Sequence, residues 1–405
     1  MNGTVYGGMM IARAYPFREP RDLELDPIYA DLLEHEPLSR IRPPYGDEAW
    51  LLVRYEDVET ALTDPRFSRA AIVTRDTPRL SPHQQGGGLL DTDPPELTRL
   101  RGLINRAFTT RRSERLRPRA QHVADELVDA MIATGSPVDL IERFASPLPG
   151  TMICELLGVP YDDRDKFAGW GRVFMSATAA DADDRRLAMS ELGAYLADLI
   201  ALRRNEPSDD LLSALVIAHD EHDSLSETEL VAMAITLLAA GFESTASQIA
   251  NSVLALLTEP DKWRLLHDKP QLVADAVEEL LRYVPLSASD IARPRYATED
   301  VVLSTGTVHA GDAVVASIYA ANRDPAVFDQ PHQLCLDRRV ARAHLAFGRG
   351  AHHCVGASLA RVSLQVALGT LVRRMGGLRL AVTAEELPWK TGFVVRGPLR
   401  LPVAW

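Results

Sequence analysis

Cysteine is scarce: the 405-residue sequence has three, Cys154, Cys335 and Cys354, an odd number set far apart. Such spacing excludes a disulfide framework, suits a reducing compartment and leaves a thiol free for chemistry. Positive charge is short as well, with 44 Lys and Arg against 56 Asp and Glu and a formal net charge of -12. At long range that balance repels nucleic acid and anionic lipid, so neither is an expected partner. From Met1 to Phe17 the apolar pieces are short and broken by Gly7, Gly8 and Arg13, with no signal-type core and no spanning run. The expected location is therefore cytoplasmic. There is no internal repeat and no low-complexity linker, so one domain over residues 1–405 is expected, acting as a monomer. Flavin and nicotinamide fingerprints are missing, as is a cysteine cluster for iron and sulfur, so electrons for any redox chemistry must come from another protein.

Hydrophobic residues make up 46% and charged ones 25%, enough to bury a large core. Apolar residues recur at spacings of three and four over Ala120–Ile132, Leu187–Arg204, Leu211–Ala218 and Gln271–Tyr283, which predicts a mainly α fold. Strand signals sit at Trp50–Tyr55 and in a β-branched block over Val301–Ser317 that is broken at two Gly-containing turns, giving a smaller β region.

The segment from Leu225 to Pro260 predicts one long helix, opened by the Ser226 and Glu229 capping-box pair and stopped by Pro260. About thirty residues at roughly 1.5 Å each cross a whole domain, and the lack of a charged face marks a buried strut. Thr236, Ala240, Glu243, Ser244 and Ser247 fall on one stripe of it, small and polar on an otherwise apolar rod. Gly241 lowers helix stability by up to about 1 kcal/mol relative to Ala, which suggests a bulky object against the backbone there. Glu243, if buried, needs a partner or water. A helix crossing lined by small residues would explain part of the pattern without any ligand.

Near the C-terminus stands Phe347-Gly348-Arg349-Gly350-Ala351-His352-His353-Cys354-Val355-Gly356, followed by a helical pattern over Ala357–Arg373. Glycines let the backbone bend around the sulfur, and the helix N-terminus adds positive potential that favours thiolate. A buried structural cysteine on a turn is one alternative. Another is a zinc site from His352, His353, Cys354 and a distant Cys335 or His344, although adjacent His-His-Cys residues do not easily face one tetrahedral ion.

This stretch resembles the haem-binding loop of the cytochrome P450 family, F-x-x-G-x-H-x-C-x-G, matched by Phe347, Gly350, His352, Cys354 and Gly356. Ala240-Gly241-Phe242-Glu243-Ser244 is similar to the family's A-G-x-[DE]-T, Glu279 and Arg282 to its E-x-x-R, and Arg338 falls at its meander arginine. The resemblance covers nearly the entire chain. It implies the P450 fold, with the long central helix over haem b (iron protoporphyrin IX) and Cys354 as the iron ligand. It further implies that Ala240, Gly241, Phe347, Gly348 and Gly356 border the cofactor, that Arg101, Arg295 and His352 hold its propionates, and that Glu279, Arg282 and Arg338 form a structural triad. Leu97 stands where a histidine is common, and Arg293 is the one nearby residue that could compensate. Glu243 and Ser244 are the expected proton relay to O2, with Thr245 as the alternative hydroxyl. Threonine is usual at 244, and serine keeps the hydroxyl while losing the methyl that limits rotation. A haem sensor or electron carrier would use the same cysteine without needing that acid and alcohol.

The implied partners are a ferredoxin and its reductase, with Arg111, Arg112, Arg115, Arg117 and Arg119 as a local basic docking cluster, and a bulky lipophilic substrate. Segments expected to shape the pocket are Ala71–Leu90, Phe167–Ala180, Met233–Ser244, Pro285–Ala292 and Trp389–Val394.

Overall fold

The computed structural model describes residues 12–19, 21–82, 89–105, 108–160, 163, 166, 169–170, 173, 176, 181–220, 225–339 and 341–405. Helices dominate, and the longest runs from Glu227 to Leu257. Its start is fixed as the sequence predicts: Ser226 Oγ accepts the Glu229 N–H at 3.2 Å, and Glu229 Oε2 accepts the Ser226 N–H at 2.7 Å. Its end is not. The helix stops at Leu257, and Pro260 opens the next one, Pro260–Asp268, where its missing N–H costs nothing.

At 31 residues this helix is about 46 Å long, and it is long and apolar enough to cross a membrane. Its place is nevertheless the core. Ile249, Val253 and Leu257 join an apolar cluster with Val277 and Leu280 of the helix Val273–Tyr283 and with Val362 and Val366 of the helix Ala357–Arg374. Toward its other end, Leu230, Met233 and Leu237 pack with Ile153, Leu157, Leu196 and Leu212.

Where it crosses Pro147–Leu157, two glycines interlock. A Cβ on Gly241 would lie 2.9 Å from Ile153 Cδ1, and one on Gly150 would lie 2.8 Å from Phe242 Cε2. The bulky object at Gly241 is therefore the neighbouring helix, and the crossing-point explanation holds there.

The largest sheet has six strands, in the order Arg13–Ala14, Leu38–Arg42, Ala49–Leu52, Ala313–Ala316, Arg295–Ala297 and Phe67–Ser68. Trp50 pairs with Val314, and Val314 with Arg295. The strand expected over Trp50–Tyr55 ends at Leu52, because Asp324 Oδ2 accepts the Tyr55 N–H at 2.9 Å and a helix, Tyr55–Thr63, begins there. The strand Arg295–Ala297 escaped the sequence reading, and it is the one that carries Arg295.

Candidate active site

The segment before the helix Ala357–Arg374 is a tight loop. Cys354 N–H donates to the Phe347 carbonyl at 2.8 Å and Gly348 N–H to the Leu345 carbonyl at 2.7 Å. Gly348 and Gly350 take left-handed φ values of 66° and 69°, which side chains disfavour. A Cβ on Gly350 would also sit 2.6 Å from the Leu62 carbonyl oxygen. The loop presents Cys354 as an exposed residue, one turn ahead of Ala357.

Although Cys354 is exposed at the loop surface, the protein packed around its sulfur raises the thiol's pKa. The Gly356 N–H and then the charges of Arg293, Arg101 and Arg361 oppose it without prevailing. The Gly356 N–H at the helix start acts in the direction expected from sequence, and an iron bound there would favour the thiolate further. Among the described residues no group of three or more His, Cys, Asp or Glu could share a metal ion. The zinc alternative lacks its ligand set.

Beside the loop lies an excess of positive charge. Arg295 is buried, and burial followed by the charges of Arg69 and Arg293 pushes its pKa down to about 9. His352 is pushed down to about 4 by burial and then by Arg295 and Arg69; its Nε2 has no hydrogen-bond partner, and Asp93 lies 4.0 Å away. Asp93 is already occupied by the Ser68 hydroxyl and by the N–H groups of Arg69 and Ala70 at 2.9 and 3.2 Å. Arg69 is held by Asp91 and by the Pro294 carbonyl at 2.9 Å.

Four guanidiniums, those of Arg69, Arg101, Arg293 and Arg295, therefore face two carboxylates, Asp91 and Asp93. A dianion would balance the group, and a porphyrin with two propionates is one. The residues present fit haem. Arg101 also braces the loop itself, its Nη2 donating to the His353 carbonyl at 2.6 Å. Leu97 is buried with 1% exposure, an apolar residue with no hydrogen bond to offer.

On the long helix, Ser244 Oγ donates to the Ala240 carbonyl at 2.6 Å, and Thr245 is half-buried beside it. Glu243 is buried and bonded to the ammonium of Lys390, which also donates to Ser247 Oγ at 2.9 Å. Of the stripe expected from sequence, Glu243 and Ser247 meet Lys390 of a C-terminal hairpin, whereas Ser244 bonds its own helix. Thr236, the first member of the stripe, bonds its own helix at the Ala232 carbonyl, 2.8 Å away. Sequence reading missed Lys390. The available signal was a lysine set directly after the apolar Leu387-Pro388-Trp389, inside the expected pocket segment Trp389–Val394.

Below the site, Glu279, Arg282 and Arg338 meet as the resemblance implies. Arg282 pairs with Glu279 at 2.7 Å through both Nε and Nη2, and Arg338 Nε reaches both Glu279 oxygens at 3.0 Å. Adjacent Glu278 was not singled out, yet it binds Arg361 at 2.7 and 3.0 Å. Burial raises its pKa, but His344 and Arg361 overcome that and hold it at about 2. Arg361 in turn stacks 4.6 Å from the centre of the Phe347 ring, bracing the cysteine loop from behind.

Three expected pocket segments converge. Ser176 bridges Phe393, and Ser287 bridges Val395. Much of Phe167–Ala180, and residues 83–88 of Ala71–Leu90, lie outside the described residues. The basic cluster is weaker than its count: Arg112 pairs with Asp209 at 2.8 Å, Arg117 with Glu114 and Arg119 with Glu155, both at 2.6 Å, while Arg111 and Arg115 are exposed.

Within Pro285–Ala292, Asp290 accepts the Ser317 hydroxyl at 2.6 Å and the Tyr29 hydroxyl at 3.4 Å. Burial lifts its pKa from 3.8 to about 6 against those bonds. The unfolded chain thus releases this proton at lower pH than the folded one, so the contribution to stability is full below pH 3.8 and is lost as pH rises through about 6. In Asp290→Asn the fall in stability between pH 4.5 and pH 7 should be smaller than in the parent by on the order of 2 kcal/mol. Chemical denaturation at pH 4.5 and pH 7 measures it, and an identical fall in both proteins would contradict the assignment.

A cysteine held by a glycine-bent loop ahead of a helix, beside a cationic cluster that wants a dianion and near a long buried rod, defines a haem-thiolate protein. The chain belongs to the cytochrome P450 family. The model described as Cytochrome P450 matches residues 182–376. The mycinamicin IV hydroxylase/epoxidase of Micromonospora griseorubida is 53% identical over 393 residues, covering 97% of this chain and 98% of that one. The nocardicin C N-oxygenase of Nocardia uniformis subsp. tsuyamanensis is 49% identical over 395 residues, covering 97% and 98%. Among solved structures, HinD with NMFT and NO superposes with a TM-score of 0.93 at 50% identity, covering 98% of this chain and 100% of that one. The mixed-function P450 MycG gives 0.91 at 53%, with the same coverage. The chain therefore has the P450 fold and is a monooxygenase acting on small molecules with O2.

Proposed function

We propose that this enzyme inserts one oxygen atom of O2 into a bulky lipophilic natural product, by hydroxylation or epoxidation, with haem b on Cys354. In this reading residues 1–405 form one domain that works as a cytoplasmic monomer, and a ferredoxin with its reductase supplies the electrons. The relatives named for a macrolide and for nocardicin C support the substrate class. Three cysteines outside any disulfide suit the compartment, and Arg111 and Arg115 remain exposed to meet an acidic partner.

The observation that carries the reading is the pairing of an exposed Cys354 with a cationic cluster in want of two negative charges. Haem on a thiolate supplies electron density that favours O–O cleavage. Arg101, Arg295 and His352 would hold its propionates. Arg293, whose charge is felt by Cys354 and Arg295, adds a donor that Leu97 does not provide. Phe347, Gly348 and Gly356 shape the sulfur side and Ala240 the other, while Gly241 lets the long helix seat against Ile153.

Glu243 and Ser244 have the roles of proton donor and proton carrier. Ser244 rests against the Ala240 carbonyl and must turn its hydroxyl to act, a rotation that serine makes more freely than threonine. Ser244→Ala should therefore lower product formed per electron pair by about threefold or more, the balance appearing as peroxide. Unchanged coupling would move the role to Thr245.

A further inference from the structure

Glu243 and Ser244 are neighbours in sequence, but their side chains do not bond one another. Ser244 is bonded to Ala240, and Glu243 to Lys390 and, at 3.5 Å, to Ser247. The ammonium and the carboxylate are close to nine-tenths buried, with side-chain exposures of 11% and 10%. A small cavity opens beside them, lined by Ile141, Ser146, Ala246, Ala250, Gly397 and Pro398. An ion pair so placed is strong enough to fix the carboxylate's direction, and it is directed away from the hydroxyl it must supply.

Lys390 also has a place in the chain that matters. It stands at the base of a hairpin, where its N–H donates to the Gly397 carbonyl at 2.9 Å and Trp389 bridges Pro398. The far part of that hairpin is the meeting point of the pocket segments: Phe393 bridges Ser176, the Val394 carbonyl accepts the Ala288 N–H at 2.8 Å, and Val395 bridges Ser287. Asn251 of the long helix binds the Arg396 carbonyl at 2.9 Å, a second tie between helix and hairpin that carries no charge. Contact with a substrate at the tip and orientation of Glu243 at the base thus share one rigid piece of backbone.

We propose that Lys390 is a positioning residue that latches Glu243 away from Ser244 until a substrate shifts the hairpin. The inference rests on Glu243 serving as proton donor. Each proton that Glu243 passes to the Ser244 hydroxyl is replaced from water at the adjoining cavity, so the side chains return to their starting charges and no electron moves on them. Before substrate arrives, the latch holds back the two protons that, with two electrons, would turn O2 into hydrogen peroxide.

The test needs no identified substrate. Holoenzyme supplied by a surrogate ferredoxin and reductase is assayed for peroxide release in the absence of substrate. Lys390→Met should raise that release about fivefold or more, Lys390→Arg should restore the parent rate, and Glu243→Gln/Lys390→Met should cancel the rise. Lys390→Gln is the second variant should the methionine form fold poorly. A thermal unfolding cycle gives a reading independent of turnover: the midpoint falls by several degrees in Lys390→Met and recovers in the double variant, where no unpaired carboxylate is left buried. An unchanged leak in Lys390→Met overturns the proposal. So does a rise that persists in the double variant, since a hairpin merely loosened would leak with or without the carboxylate. Glu243→Gln that leaves coupled turnover unchanged, measured with any lipophilic compound whose binding displaces the iron-bound water by spectrum, would instead fault the donor role of Glu243.

Discussion

Cys354→Ala is expected to remove the strongly red-shifted Soret band that thiolate ligation gives the reduced protein with carbon monoxide, and to lower turnover by at least about a thousandfold, roughly 4 kcal/mol of barrier. The loop itself should persist. Its shape depends on the backbone bond from residue 354 to the Phe347 carbonyl and on the left-handed glycines at 348 and 350, none of which needs the sulfur. Loss of the band should therefore come without collapse of the chain, visible as an almost unaltered far-ultraviolet circular dichroism spectrum. His352 is not expected to take the iron over, because its Nε2 lies 4.0 Å from Asp93, within the cluster that would hold the propionates. A red-shifted band retained in Cys354→Ala would mean that another residue holds the iron.

That the cysteine loop could be read directly has a physical cause. Glycine, histidine and cysteine at fixed offsets encode backbone angles and a ligand in consecutive residues, so the local chain contains nearly all the information. The long helix was legible for a similar reason: Ser226 and Glu229 cap it within four residues of each other. Its end was not, because a proline reads equally as the stop of one helix and the start of the next, and at Pro260 the second meaning applies. Gly241 misled in the same way. A small residue announces a close neighbour but does not say which, and here it is Ile153.

What stayed hidden was whatever depends on distant segments meeting. Lys390 and Glu243 are separated by 147 positions, and Arg361 and Glu278 by 83, so no local pattern could join them. The charge imbalance around Arg295 draws on residues from four stretches of chain. Only the fold shows that Asp93, the acid nearest to His352, is already spent on the N–H groups of Arg69 and Ala70.

Arg282→Ala should be the most damaging substitution outside the site. Arg282 has five N–H donors and five acceptors: both oxygens of Glu279 at 2.7 Å, and the carbonyls of Asn322, Pro331 and Gln333 at 2.9, 2.8 and 3.0 Å. Its side chain and that of Glu279 are fully buried. Removing the guanidinium leaves the buried Glu279 carboxylate with only Arg338 Nε and the Cys335 N–H, and takes the Arg282 donor from the carbonyls of Asn322 and Pro331; breaking a buried pair costs about 3–5 kcal/mol, against a total stability of some 5–15 kcal/mol. Arg338 cannot cover the loss, since its own Nη groups are committed to the carbonyls of Asp329, Gln330 and Gln333. The soluble yield of haem-loaded protein should fall at least about tenfold. Arg282→Lys should resemble Arg282→Ala more than the parent, because an ammonium offers three donors and no planar fork to five fixed acceptors. Thermal unfolding of the lysine variant decides the point: a midpoint within about two degrees of the parent would show that charge alone holds this junction, and the five-donor account would be wrong.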